Sequence, residues 1–382
     1  MSYAQYFSRF LGSDPDRLHA AAHSHHPWPD VSFEAHQQAW LDAADRHDDK
    51  WDHVFGTVFP EAKTHIATRL GLSDPDTIAL GTNTHSFVMR ILSCLPTPTR
   101  IVTTDGEFHS FDRQARRLVE DGSARVTHVP VEPFDTFPDR FVEAVASTPA
   151  DLVYLSQVFF DSGFVVPALD DIVAAVPSDD TFVVIDGYHG FMALPTDLSA
   201  IEDRAFYVAG GYKYAMAGEG ACFLHCPPGY GQRPVDTGWY AGFATLEDSQ
   251  ADVGYAEGGD RFLGATFDPT GFYRFTAVQR WLHDIDLDVA AIHDHVGALQ
   301  TRLLETLGGA RPGELLPPST VDDRGHFLTF RTPDAERLYR RFHEHRIVTD
   351  RRGDRWRIGL GIYHDEDDVD RLADTIRTTE AS

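Results

Sequence analysis

Of the 33 Lys and Arg residues in this chain, lysine accounts for three positions alone: Lys50, Lys63 and Lys213. Lys213 stands in an apolar, glycine-bearing stretch, Phe206-Tyr-Val-Ala-Gly-Gly-Tyr-Lys213-Tyr-Ala-Met-Ala-Gly-Glu-Gly. Upstream runs a buried-strand pattern that ends in a carboxylate, Thr181-Phe-Val-Val-Ile-Asp186-Gly-Tyr-His189-Gly. An aspartate at a strand end, followed by a lysine in a Gly-rich loop, suits the chemistry of pyridoxal phosphate. The lysine amine makes a Schiff base with the aldehyde, and the carboxylate keeps the pyridine nitrogen protonated so that the ring accepts electrons. The bland reading of Lys213 is a surface lysine; its apolar flanks and the paired aspartate weigh against it.

These residues sit at the ends of elements, and the pattern of elements is readable. Residues 33–72 read as helical, with Trp40, Trp51, Val54, Phe55, Ile66 and Leu70 among charged neighbours. A strand at Thr77–Leu80 leads into a helix at His85–Leu95. Strands follow near Arg100–Thr104, Val126–Val131, Asp151–Ser156, Thr181–Ile185, Ala205–Ala209 and Gly220–His225, with helices at Ser110–Asp121 and Ala168–Val176 between them. This alternation predicts an α/β fold: a mainly parallel sheet with helices on both faces. Apolar runs such as Phe182-Val-Val-Ile185 fit strands covered on both sides. Strands around 325–331 and 356–360, with helices at 334–345 and 365–378, predict a smaller α+β unit. A helix around Ala277–Ile285 is expected to connect the two.

Composition bounds the function. The formal net charge of −26 argues against nucleic-acid and anionic-membrane partners, which demand basic patches. No run of eighteen apolar residues predicts a membrane span, and the first residues lack the pattern of a signal peptide. Three cysteines, Cys94, Cys222 and Cys226, are too few for a disulfide framework and predict buried thiols in a reducing cytoplasm. Cys222 and Cys226 lack the second pair that a zinc site needs.

In an open α/β sheet, ligands bind at the carboxyl ends of the strands. Gly81-Thr82-Asn83-Thr84-His85-Ser86 leads a strand into a helix and could hold a phosphate there; the same residues read equally as a helix cap. Phe108 follows another strand and could stack on a pyridine ring, or could be a core phenylalanine. Tyr212 could donate its hydroxyl to the phosphate. Three histidines crowd the four positions His23-Ser24-His25-His26 in the segment that begins Leu18-His-Ala-Ala-Ala, but no carboxylate or cysteine cluster at ligand spacing accompanies them, so no metal is expected.

Taken together, Ile185-Asp186-Gly-Tyr-His189-Gly, Leu194-Pro-Thr-Asp197-Leu, Gly211-Tyr-Lys213-Tyr and Gly218-Glu-Gly220 resemble the class V, fold-type I pyridoxal-phosphate enzymes, and most of all their kynureninase branch. Gly238-Trp239-Tyr240, Gly264-Ala-Thr266-Phe-Asp-Pro269 and Arg355-Trp-Arg357-Ile-Gly-Leu-Gly-Ile-Tyr-His364 continue that resemblance in order. It implies Lys213 as the Schiff-base lysine, Asp186 at the pyridine nitrogen, His189 beside the cofactor and Phe108 on the ring. It implies phosphate contacts from the Thr84 and His85 backbone and from the Tyr212 and Trp239 side chains. Thr266 would reach the phosphate of a second copy, in a homodimer with shared active sites. Arg357 would hold the substrate α-carboxylate, a task suited to arginine's fork, with His23 and Ser24 on the substrate side. The implied domains are an N-terminal segment, 1–30, bordering the active site, a large cofactor-binding domain, 31–272, and a small C-terminal α+β domain, 273–382. The implied activity is hydrolysis of the Cβ–Cγ bond of an aryl-ketone amino acid; the alternatives are an aminotransferase, a Cβ–S lyase or, less fitting, a non-enzymatic protein of the same fold. Kynureninases usually carry asparagine where His23 and Ser24 stand, and Gly264–Gly271 lacks another. No cysteine follows Cys226, which disfavours sulfur abstraction by a late-loop thiol.

Overall fold

The computed structural model describes residues 2–245, 252–317 and 324–380. Two helices, α1 (Asp30–Arg46) and α2 (Phe59–Leu70), precede the first strand of the main sheet. They are joined by a 3-10 turn, a short helix and a π-helical turn over Val54–Val58. That turn rotates the apolar side chains Val54, Val58 and Phe59 into the core.

Among the described residues the main sheet has seven strands: β1 (Ile78–Gly81), β2 (Thr99–Thr104), β3 (Ala124–Val129), β4 (Leu152–Ser156), β5 (Phe182–Asp186), β6 (Ala205–Gly210) and β7 (Cys222–His225). Their spatial order is β1-β7-β6-β5-β4-β2-β3. Strand β7 is antiparallel to both neighbours, and the other pairings are parallel. Phe182, Val183, Val184 and Ile185 of β5 are all buried, as strands in a doubly covered sheet must be. Helices α3 (Thr84–Leu92), α4 (His109–Glu120), α5 (Phe137–Ser147) and α6 (Leu169–Ala174) occupy the crossovers. The predicted strands and crossover helices appear within a few residues of their expected bounds, while α5 had no counterpart in the sequence pattern.

The connection to the second unit is longer than the sequence suggested. Helix α7 (Thr270–Asp284) lies along α1, and α8 (Val289–Leu307) follows with an Asp288 side-chain cap on the Ala291 N–H at 2.7 Å. The second unit is an antiparallel sheet of β8 (Glu314–Leu316), β9 (Phe327–Arg331), β10 (Asp350–Arg352) and β11 (Arg355–Gly359), in the order β10-β11-β9-β8. Helices α9 (Ala335–Glu344) and α10 (Glu366–Glu380) flank it. Its core of Phe330, Leu338, Phe342, Trp356, Ile358 and Leu372 also takes in Leu18 and Ala20 from the start of the chain. Leu18–His19 pairs in parallel with Ile347–Val348, and Ala21 bridges Gly359. The N-terminal segment is thereby stitched to the strand that carries Arg357. Among the described residues no helix is long and apolar enough to cross a membrane.

Candidate active site

The carboxyl ends of β1, β2, β4, β5 and β6 converge on a cavity of about 260 Å³, where crossover loops can aim side chains at one point. Its lining includes Thr84, His85, Phe108, Asp186, His189, Tyr212 and Lys213, seven of the residues singled out from sequence. Asp186 ends β5, His189 follows three residues later, and Lys213 sits three residues past the end of β6. The parallel β5–β6 pairing sets these two loops side by side.

Lys213 is buried, with Nζ 2.5 Å from His189 Nε2. Burial lowers its pKa from 10.5 to about 7, against the opposing pull of Asp186 and with a further push from Arg357. The amine is therefore substantially neutral, and nucleophilic, near neutral pH. Burial also holds His189 well below the ordinary histidine range, reinforced by Lys213. Its Nδ1 is buried without a hydrogen-bond partner.

Asp186 accepts two hydrogen bonds from neutral donors, Tyr188 N–H at 3.0 Å and Tyr154 O–H at 2.9 Å. Burial raises its pKa, while those bonds and Lys213 oppose the rise. A buried carboxylate held by neutral donors is costly unless a cation meets it. At the other end of the cavity, Asn83 caps α3 by accepting from the Ser86 N–H at 2.8 Å. Thr82, Asn83, Thr84 and His85 border the cavity at that helix start, where the dipole favours an anion.

The arrangement fits pyridoxal phosphate on three counts: a carboxylate that wants a cationic ring nitrogen, a helix start that suits a phosphate, and a near-neutral amine between them. Asp186 would meet the ring nitrogen, and Thr84 and His85, with Tyr212, would hold the phosphate end. Phe108 would face the ring, and Lys213 would bind the aldehyde carbon.

The remaining sequence candidates lie elsewhere. Trp239 and Thr266 are exposed and do not line this cavity within one chain. Ser24 is half-buried, with its Oγ 3.2 Å from His25 Nδ1. His23 is fully enclosed, its ring stacked on Phe327 at 4.6 Å. Arg357 is 3% exposed and stands behind the cavity wall. It donates to the Phe160 carbonyl and pairs with Asp350. Arg355 pairs with Asp161 and Glu132, and Arg274 donates to the backbone carbonyls of Ala217 and Glu219. The charge of Arg357 is among the causes that lower the Lys213 pKa.

Sequence reasoning missed several wall residues. Tyr154 lay hidden in the apolar run Leu-Val-Tyr-Leu-Ser; a hydroxyl inside a fully buried strand needs a partner, and that was its one signal. Glu107, which sequence did not single out, is buried behind Ser156 of the cavity wall. It accepts from Ser156 Oγ at 2.6 Å and Thr104 Oγ1 at 2.8 Å, and burial pushes its pKa up to about 8. Cys222 lines the cavity as a thiol, with its sulfur 3.4 Å from Tyr188 Oη and its pKa pushed up to about 11 by burial. No group of three or more metal-ligating side chains occurs among the described residues.

Comparison with known proteins places this geometry in context. The family model "Aminotransferase class-V" matches residues 34–372. The isopenicillin N epimerase of Streptomyces clavuligerus is 29% identical over 348 residues, covering 83% of each chain. A cystine C-S lyase, solved with its product cysteine persulfide, superposes with a TM-score of 0.80 at 18% identity, covering 94% of this chain and 97% of its own. A cysteine desulfurase from Thermococcus onnurineus NA1 superposes with a TM-score of 0.82 at 16% identity, covering 100% of this chain and 99% of its own.

Proposed function

The chain belongs to the class-V aminotransferases, an α/β pyridoxal-phosphate family acting on amino acids, and from that premise we propose that it is a Cβ–S lyase. It would release a thiol from an S-substituted cysteine, with the remainder of the substrate and water yielding pyruvate and ammonium. When bound, the cofactor supplies the electron sink for bonds broken at Cα. Lys213, whose pKa burial lowers to about 7 so that a large share of the amine is neutral there, would take the Cα proton. Asp186 would keep the ring nitrogen cationic, and Arg357 would orient the substrate through its carboxylate.

The observation that carries this reading is the state of the cysteines. Cys94 and Cys222 are each pushed up to about 11 and Cys226 to about 12, in every case by burial. None is a thiolate poised to attack sulfur. Carbon–sulfur chemistry here would proceed by elimination of the thiol. The fold likeness to a cystine C-S lyase supports the same direction.

A second reading, epimerisation at Cα, is favoured by the 29% identity to isopenicillin N epimerase. It needs only that Lys213 remove and return a proton. Kynureninase-type hydrolysis rests on the motif resemblance alone. The test is to supply the holoenzyme with S-methyl-L-cysteine, L-alanine and L-kynurenine in parallel. Thiol and pyruvate release supports the lyase. Loss of chirality without release points to the epimerase, and anthranilate fluorescence to the hydrolase; either result in the absence of thiol removes the lyase reading.

The protein is further proposed to act as a homodimer in the cytoplasm. Val235 is 82% exposed, and Trp239 and Phe243 lie about half exposed nearby in sequence, an apolar surface that a second chain would cover. A stable pairing of this kind buries roughly 2,000 Å² or more. Sedimentation showing a fully active monomer would refute it.

A further inference from the structure

We propose that Asp350 is a specificity-setting counter-ion: its carboxylate occupies Arg357 in the substrate-free enzyme and gives up the guanidinium only to a substrate carboxylate. The inference rests on the reading of Arg357 as the substrate-carboxylate clamp.

The juxtaposition is built into the sheet. Strands β10 and β11 pair antiparallel with Asp350 directly opposite Arg357. The pair is nearly sealed, at 3% exposure for the arginine and 13% for the aspartate. An arginine buried there without a counter-ion would be an uncompensated charge, a costly state. Asp350 removes that cost while the site is empty.

Asp350 nevertheless satisfies Arg357 incompletely. Only Oδ2 reaches the guanidinium. Oδ1 accepts from the Arg351 N–H at 2.6 Å and from Arg352 at 3.0 Å. The second terminal nitrogen of Arg357 goes to the Phe160 carbonyl, and Nε is buried without a partner. A free carboxylate can offer two oxygens to two parallel N–H groups, which a planar fork prefers over one. Exchange is therefore favourable for an incoming carboxylate and closed to a ligand without one.

The displaced aspartate has somewhere to go. Its Oδ1 contacts with Arg351 and Arg352 persist, and its Oδ2 already lies 3.6 Å from His23 Nε2. Both ring nitrogens of His23 are buried without hydrogen-bond partners. The imidazole is fixed by stacking on Phe327 and by close approach to Gly359, where an added Cβ would lie 2.1 Å from His23 Nδ1. The histidine that sequence placed on the substrate side thus waits beside the oxygen that substrate would release.

The test titrates propionate, a carboxylate without an amine, into the holoenzyme and follows the perturbation of the visible cofactor band and the melting temperature. Asp350→Asn should bind propionate about tenfold more tightly than the parent, because the internal competitor has lost its charge. Arg352→Gln, a change at a residue 43% exposed, should weaken propionate at least about threefold, because Asp350 then leans harder on Arg357. This second variant keeps the proposal testable if the first fails to fold. Unchanged or weaker binding in Asp350→Asn, with Arg357→Gln abolishing the response, overturns the counter-ion role and leaves the clamp standing. Propionate binding that survives Arg357→Gln overturns the proposal and the clamp together.

Discussion

The two ends of the active site are built differently. Around Lys213 the chain presents an open cavity, an amine whose pKa is lowered to about 7, and a carboxylate held by tyrosine hydroxyl and backbone N–H. Around Arg357 it presents a closed cluster in which the guanidinium donates to Asp350 and to the Phe160 carbonyl. On the proposed reading, the first end suits a group that stays and the second one that comes and goes. A resident cofactor can leave a carboxylate waiting for its cation. A transient substrate needs an arginine that is already compensated when the site is empty.

That contrast can be broken by mutation, most severely at the cofactor end. Lys213→Ala should abolish the visible band and lower turnover by at least about 10³-fold, since it would remove both the proposed covalent anchor and the proposed base. Absorbance and kcat measured on the same preparation check this. At the substrate end, Arg357→Lys should retain the visible band but lose about 2–4 kcal/mol in kcat/KM, because an ammonium cannot reproduce two parallel N–H bonds. If that variant turns over as the parent does, the arginine is structural.

The pH dependence sharpens the comparison further. Burial lowers the Lys213 pKa to about 7, so the neutral, attacking form predominates above that value and is lost below it. Stopped-flow capture of pyridoxal phosphate by the cofactor-free protein should slow as pH falls through about 7 and stay level above it. An ordinary lysine would continue to gain about tenfold per pH unit until about pH 10. The smallest expected effect is that of Tyr154→Phe, which deletes one hydrogen bond to Asp186. Cofactor affinity should fall about threefold to tenfold, the scale of one such bond, with the fold intact.

The cofactor end was also the more legible in sequence, for a physical reason. Lys213, Asp186 and His189 interrupt apolar runs, and a polar side chain at the end of a buried strand announces itself locally. Tyr154 and Asp350 did not, because their roles depend on pairing between strands. Tyr154 reaches Asp186 only through the β4–β5 register, and Asp350 faces Arg357 only because β10 folds onto β11. Read alone, Thr349-Asp-Arg-Arg352 resembles an exposed charged turn. The sheet of parallel crossovers followed from the alternation of periodicities. Helix α5 did not, since its apolar positions Phe137, Phe141 and Val145 stand between prolines and short polar stretches. The Ala277–Ile285 connector was found, but most of it belongs to α7, and α8 behind it went unread.

Three lysines make the most direct test simple. Borohydride reduction of the holoenzyme, followed by proteolysis and mass spectrometry, would fix the cofactor to whichever amine carries it, and fragment masses distinguish Lys213 from Lys50 and Lys63. The account predicts a pyridoxyl adduct on the Lys213 peptide alone. An adduct on Lys50 or Lys63, or none on Lys213, would contradict it.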